Sequence, residues 1–259
     1  MFDKDFTMEK YELLCQNISK SNFKTYTLEK LFDCNQKINA NFIVLRHDVD
    51  RSPKKAYMMA KIEQKYGLKA TYYFRTINQK LFDKEIITRI KKLGHEIGYH
   101  YEVLSTSKGD FKRAHYFFDN SIKEFKNIGI KVKTATFHGS PLSKYNNRDF
   151  WKKYRINEFD LLGLAYDSVN FEKIYYLTDT GRTFGQTSSN IRDKPATSYL
   201  FDKKIRSTRD VIKLLKKDCN IYITTHPERW SQGSLDWYWE YIFQNFKNMG
   251  KSFLNYARK

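Results

Sequence analysis

The stretch Asn41-Phe42-Ile43-Val44-Leu45-Arg46-His47-Asp48-Val49-Asp50-Arg51-Ser52-Pro53 sets the fold. Its first six residues are an apolar run of strand length that ends in His47-Asp48-Val49-Asp50. Ser52 then suits a helix N-cap, and Pro53 suits the first helical turn, where its missing N–H is no loss. The same strand-then-helix pattern repeats outward. The helix from Pro53 is expected to run to Tyr66 and stop at Gly67, and Lys69–Arg75 is rich in β-formers. A helix over Lys84–Leu93 stops at Gly94, before a short strand over Glu96–Tyr99. Phe111–Asn127 reads as a helix closed by Gly129, and Val132–Phe137 as a strand. Lys173–Leu177 and Ile221–Thr225 are two further strands with a helix over Asp210–Lys217 between them, and Leu235–Asn248 is helical. Alternation of this kind predicts βαβ units and an α/β protein with a mostly parallel sheet. Residues 1–40 are expected to be a polar helical lead-in and 41–259 a single domain.

The bulk properties agree with one large core. The chain has 259 residues, 41% of them hydrophobic and 17% aromatic, with only 11 Gly and 4 Pro, which excludes a disordered or linker-rich protein. A net charge of +18 raises nucleic acid or an anionic surface as partner. The lysines are nevertheless spread in pairs along the whole chain and never form a run of five or six, which disfavours nucleic acid. Two readings remain: a composition of the kind that AT-rich coding produces, or recognition of an anionic substrate. Cys15, Cys34 and Cys219 are odd in number and far apart, so neither a disulfide framework nor a CxxC metal site fits them. No signal-peptide pattern and no apolar run of spanning length is visible, so a cytoplasmic location is expected. Oligomeric state is not legible. The aromatic-rich Trp230, Trp237, Trp239, Tyr241 and Phe243 are expected to be core more than contact surface.

Polar residues gather at the strand ends. Asp48 and Asp50 follow the first strand, His100 and Glu102 the third, His138 the fourth, Asp179 the fifth and His226 the last. Functional groups of parallel α/β folds collect at the C-terminal ends of strands. Asp48 and Asp50 are two apart and share a face, so one can ligate a cation while the other acts as base. The plainer alternative has Asp50 capping the helix and Asp48 paired with a lysine. His95 lies at odd spacing from His100 and is expected to be structural. Imidazoles at three strand ends suit zinc ligation and proton transfer near neutral pH.

Three phrases in order, His47-Asp48-Val49-Asp50, Tyr66-Gly67-Leu68-Lys69-Ala70-Thr71-Tyr72-Tyr73-Phe74 and Gly94-His95-Glu96-Ile97-Gly98-Tyr99-His100, give the chain its family likeness. It resembles the polysaccharide deacetylases of carbohydrate esterase family 4 from about Phe42 to Pro227, specifically a divergent branch linked to surface-polysaccharide biosynthesis. The resemblance implies a distorted (β/α) barrel of about seven mostly parallel strands. It also implies Asp48 as catalytic base, His226 as general acid, and Asp50 and His100 as ligands of a divalent metal, most simply zinc. The sequence departs from the family at three points, one being Leu177-Thr178-Asp179-Thr180-Gly181-Arg182, which sits roughly where an Asp-containing motif is expected and does not match it. Leu104 stands four residues beyond His100, where a second ligating histidine is expected, and His138-Gly139-Ser140-Pro141 replaces the R-x-P-Y motif that orients the base. Either His138 or Glu102 then supplies the missing ligand. Histidine is the commoner zinc ligand, which favours His138.

The function this implies is metal-dependent hydrolysis of an amide carbon–nitrogen bond, a deacetylase acting on an N-acylated sugar in capsule, O-antigen or other surface-polysaccharide assembly. The carbohydrate partner would be soluble or at the membrane face, such as a nucleotide- or lipid-linked sugar. Arg46 and Arg182 would meet its phosphate, with Glu102 and Asp179 as further substrate-binding candidates. Hydrolysis of a small cyclic amide is a related enzymatic alternative. A catalytically silent binding or assembly protein is the alternative from another class.

Overall fold

The computed structural model describes residues 4–33, 41–139, 143–184 and 202–244, with 195, 199 and 200. Strand β2 (Phe42–Val49) is buried along its whole length and continues through His47-Asp48-Val49 rather than stopping at Arg46. It is followed by α3 (Pro53–Lys65), β3 (Thr71–Phe74), α4 (Lys84–Lys92), β4 (Glu96–Tyr101), the short α5 (Val103–Thr106), α6 (Phe111–Asn127) and β5 (Thr134–Phe137). Beyond these come β6 (Gly163–Leu164), β7 (Ile174–Thr178), α7 (Thr208–Leu214) and β8 (Asn220–Thr225). A last helix, α8, is described over 234–244.

Every strand pairing is parallel. The order is β6-β5-β4-β3-β2-β8-β7, the cyclic order of a barrel, and the ladder is open between β6 and β7. The expected distorted (β/α) barrel is thus observed. Side chains close the open seam, where the hydroxyls of Tyr166 and Tyr176 lie 2.9 Å apart and Tyr222 donates to the Ala165 carbonyl at 3.0 Å.

The lead-in is a correction. It is not only helical: α1 (Met8–Ser19) and α2 (Leu28–Asp33) flank β1 (Lys24–Tyr26), which pairs with Phe42–Val44 of β2. Arg46–Val49 of the same strand pair with β3, so β1 and β3 share one edge of β2. A three-residue strand has too short a pattern to be told from a loop by periodicity. The two-residue β6 escapes for the same reason. Ser52 occupies the N-cap as expected, but its side chain makes no capping bond; Pro53 at the first turn is as read. Cys34, Ser140, Pro141 and the part of the last expected helix beyond Gln244 lie outside the described residues.

Alternation along β2 separates two polar layers. Arg46 and Asp48 point into the barrel, whereas His47 points out against α3. There, the His47 Nε2 lies 2.7 Å from Glu63 Oε1, and Tyr11 and Tyr72 donate to the same carboxylate at 2.5 and 2.6 Å. His95 Nε2 lies 3.0 Å from the Ala60 carbonyl and its Nδ1 is 3.7 Å from Glu63, on the side opposite His100, as the odd spacing predicted. Inside the barrel Glu96, Gly98 and His100 share a face of β4. Gly98 is needed there, because a Cβ would stand 2.3 Å from the Tyr73 ring. Below it Glu96 accepts from the hydroxyls of Thr71 and Thr134, and burial raises its carboxyl above the usual range.

Candidate active site

The C-terminal ends of β2, β4, β5 and β8 bring the predicted residues to one rim. Asp50 lies just past β2 in a turn where its N–H donates to the Asp48 carbonyl at 3.0 Å. His100 projects from β4 with Nε2 3.1 Å from Asp50 Oδ1, and its Nδ1 faces the Thr136 carbonyl at 3.3 Å. His138 follows β5, with Nε2 3.6 Å from the same Asp50 oxygen and Nδ1 3.5 Å from Glu102. One ligating atom from each of Asp50, His100 and His138 lies within 4.8 Å of the others.

This donor set suits a divalent ion of the zinc type: one carboxylate and two imidazoles, each with Nδ1 turned to an oxygen and Nε2 turned inward. Leu104 is 2% exposed and packs in the core, so nothing at that position approaches the cluster. Glu102 stands behind His138 rather than beside it. Arg75 donates to Glu102 from Nε at 2.9 Å and from Nη2 at 2.6 Å, and its Nη1 donates to the Asp50 carbonyl at 3.2 Å. Burial raises the Asp50 carboxyl, but His138 and His100 outweigh it and hold it well below the usual range. Burial likewise disfavours protonation of His138, and Asp50 and Glu102 overcome it and raise its pKa.

Asp48 sits next to this cluster, 4% exposed. Arg46 grips it with a fork: Nε donates to Oδ1 at 2.8 Å and Nη2 to Oδ2 at 2.6 Å, while Nη2 also donates to Thr136 at 2.7 Å. The guanidinium is fully buried, with its centre 4.0 Å above the Tyr166 ring. Burial would raise the Asp48 carboxyl; Arg46 and His100 outweigh that and lower it. Arg46 was expected to meet substrate, and its burial under Asp48 corrects that reading.

His226 follows β8. Asp179 accepts its main-chain N–H at 2.8 Å and places Oδ1 2.7 Å from its Nδ1. Arg229 and Trp230 also donate to Asp179, at 2.6 and 3.1 Å. Burial and Arg229 disfavour protonation of His226, but Asp179 prevails and raises its pKa. Asp179 is itself 0% exposed and so has no surface to offer a substrate. Arg182 is also set apart from the rim: it donates to the carbonyls of Arg229 and Asp5, at 3.0 and 3.4 Å, and ties those two segments together.

Sequence reasoning missed Arg75, Arg229 and Glu228. Arg75 ends the β3 segment, so the strand-end criterion used for the histidines would have found it. Glu228 is 5% exposed, and its Oε2 has no hydrogen-bond partner among the described residues. Burial and the nearby Asp50 raise its pKa. A cavity of about 510 Å³ lies at the opposite end of the strands, lined by Phe32, Phe42 and Ile174, away from this chemistry.

No family model and no curated protein matches the chain. It is similar to several solved structures. One is the Xyl-CE4 domain of a multidomain xylanase from the hindgut metagenome of Trinervitermes trinervoides, 14% identical, with 85% of this chain and 84% of that chain covered and a TM-score of 0.41. Another is PdaA of Bacillus subtilis, a family 4 carbohydrate esterase, 12% identical, with 84% of each chain covered and a TM-score of 0.39. A third is a mutant of a CE4 family pseudoenzyme with restored enzymatic activity, 13% identical, with 83% and 65% covered and a TM-score of 0.42. Identities and scores this low leave the chemistry to be argued from the rim itself, where an aspartate–histidine–histidine cluster stands beside an arginine-held aspartate and an aspartate-held histidine.

Proposed function

We propose that this protein is a metal-dependent amide hydrolase that removes an acyl group from an N-acylated amino sugar in surface-polysaccharide assembly. The observation that carries the reading is the convergence of Asp50, His100 and His138 within 4.8 Å beside Asp48 and His226. Asp50, His100 and His138 would hold a divalent ion, zinc being the best match to their chemistry, and it would supply Lewis acidity and lower the pKa of water. The chain's own residues divide the proton traffic. Asp48, oriented by the Arg46 fork, takes the proton from the water that attacks the acyl carbon. His226, with Nδ1 fixed toward Asp179, protonates the leaving nitrogen through Nε2. The carbon–nitrogen bond breaks, releasing the carboxylic acid and the free amine.

Arg75 and Glu102 act as positioning residues, because they hold Asp50 and His138. The test is direct: elemental analysis of the purified protein, coupled to an acetate-release assay on N-acetylated amino sugars. One bound zinc with activity abolished in Asp50→Ala is the expected result. A metal-free protein whose Asp50→Ala variant still complements in cells would instead establish a silent binding protein, the reading that the loss of a histidine at Leu104 favours.

A further inference from the structure

Helix α8 over 234–244 is amphipathic in the wrong sense for a helix packed on a protein. Its acidic residues face the body. Asp236 accepts from Lys55 Nζ at 2.9 Å, and Glu240 lies 3.8 Å from Arg51 Nη2. Trp237 is pinned as well, its indole N–H donating to the Asp5 carbonyl at 2.6 Å. The opposite face carries Leu235, Tyr238, Trp239 and Ile242, spaced at i, i+3, i+4 and i+7, and all four are exposed, Leu235 at 79% and Trp239 at 73%. A surface helix ordinarily turns its apolar stripe to the core and its charges to water. Here ion pairs fix the helix, and the stripe is left facing outward.

We infer that this face docks on an anionic lipid bilayer, with α8 lying in the plane of the headgroups. Three features select a membrane as the occupant. The stripe combines aliphatic and aromatic side chains, the mixture that settles at the boundary of headgroup and acyl chain. The protein's net charge is +18, which repels a second copy and attracts an anionic leaflet. Lys4 Nζ also lies 4.5 Å from the Tyr238 ring centroid, and the sequence after Gln244 adds Lys247, Lys251, Arg258 and Lys259 with no Asp or Glu. The docked face adjoins the catalytic rim. Arg51 follows Asp50 directly and reaches Glu228, Glu240 and the Phe243 ring, at 3.4, 3.8 and 5.3 Å. Docking therefore brings the rim to the bilayer surface, where a lipid-linked saccharide would present its sugar; this last point alone rests on the hydrolase reading.

Co-sedimentation of the full chain with vesicles tests the inference. Binding to equimolar phosphatidylcholine and phosphatidylglycerol, weak binding to phosphatidylcholine alone, and weakening by added salt are expected. The double variant Leu235→Ser/Trp239→Ser should lose roughly tenfold or more of that binding while keeping the parent's circular dichroism and thermal midpoint. Asp50→Ala should bind vesicles as the parent does, which separates docking from catalysis. Absence of binding to the anionic vesicles, or equal binding by the double variant, would overturn the inference. So would a dimer in analytical ultracentrifugation that the double variant dissociates, since it would identify a second copy as the occupant.

Discussion

Arg46 and Asp48 form a two-pronged ion pair within a single strand, the arginine reaching past His47 to hold both oxygens of the aspartate two residues later. The arginine that orients the candidate base thus comes from the base's own strand, although the R-x-P-Y motif is missing from the sequence. The fork geometry requires guanidinium, and a point-charge ammonium cannot reproduce it. Arg46→Lys should fold and retain bound metal but lose about ten- to a hundredfold in kcat with little change in KM. Arg46→Met, which leaves a carboxylate buried without its partner, should cost about 3–5 kcal/mol in urea unfolding. Parent-like kcat in Arg46→Lys would remove the arginine from the mechanism.

The metal cluster predicts a graded series. His138→Ala should abolish stoichiometric zinc in elemental analysis, because it removes a ligand. Glu102→Gln should weaken zinc affinity only about tenfold to a hundredfold, because Glu102 acts through the histidine. Leu104→His should not restore zinc to the His138→Ala protein, since Leu104 is packed in the core away from the cluster.

The pairing of His226 with Asp179 sets the pH dependence. The carboxylate raises the imidazole's pKa, so His226 stays protonated, and able to act as an acid, to a higher pH than an isolated histidine. Activity should then fall as pH rises through that raised value. Asp179→Asn removes the supporting charge, so the alkaline limb of kcat should move to lower pH. A limb that stays in place in Asp179→Asn would mean another group supplies the proton.

On the outer side of the sheet, Glu63 gives a stability prediction independent of catalysis. Burial raises its carboxyl, but His47 outweighs this and leaves it below the usual range. A carboxyl depressed in the fold stabilises above its unfolded pKa, and that contribution fades as the pH falls through the folded value. Glu63→Gln should cost about 3–5 kcal/mol at neutral pH and leave the zinc content unchanged. Its deficit against the parent should narrow in acid.

Much of this rim is legible in the sequence. Apolar runs ending in Asp48-Val49-Asp50, His100, His138 and His226 needed only the rule that parallel strands deliver functional groups at their C-terminal ends. Period-two spacing separated His95 from His100 correctly, because a strand has no other way to point them. The failures have physical causes. Arg46, Glu102 and Asp179 are polar residues beside a presumed site and read as substrate contacts, yet each is committed to holding a neighbour. That distinction depends on three-dimensional partners such as Arg75, which sits 27 residues from Glu102. The strands β1 and β6 carry too few residues to show a period. The face of α8 misled in the opposite direction: spacing identifies a stripe but cannot tell whether protein covers it.

The seam between β6 and β7 has a mechanical consequence. Elsewhere around the barrel neighbouring strands are zipped by main-chain ladders, and parting them breaks several bonds at once. At this seam side-chain links stand in place of a ladder, among them the Tyr166–Tyr176 hydroxyl contact and the Tyr222 bond to the Ala165 carbonyl, each worth about 1 kcal/mol. Pulled apart or heated, the barrel should tear first along that line and unroll as a sheet still hinged at β2, with the rim residues on β2, β4 and β5 held in mutual register after the cylinder has opened.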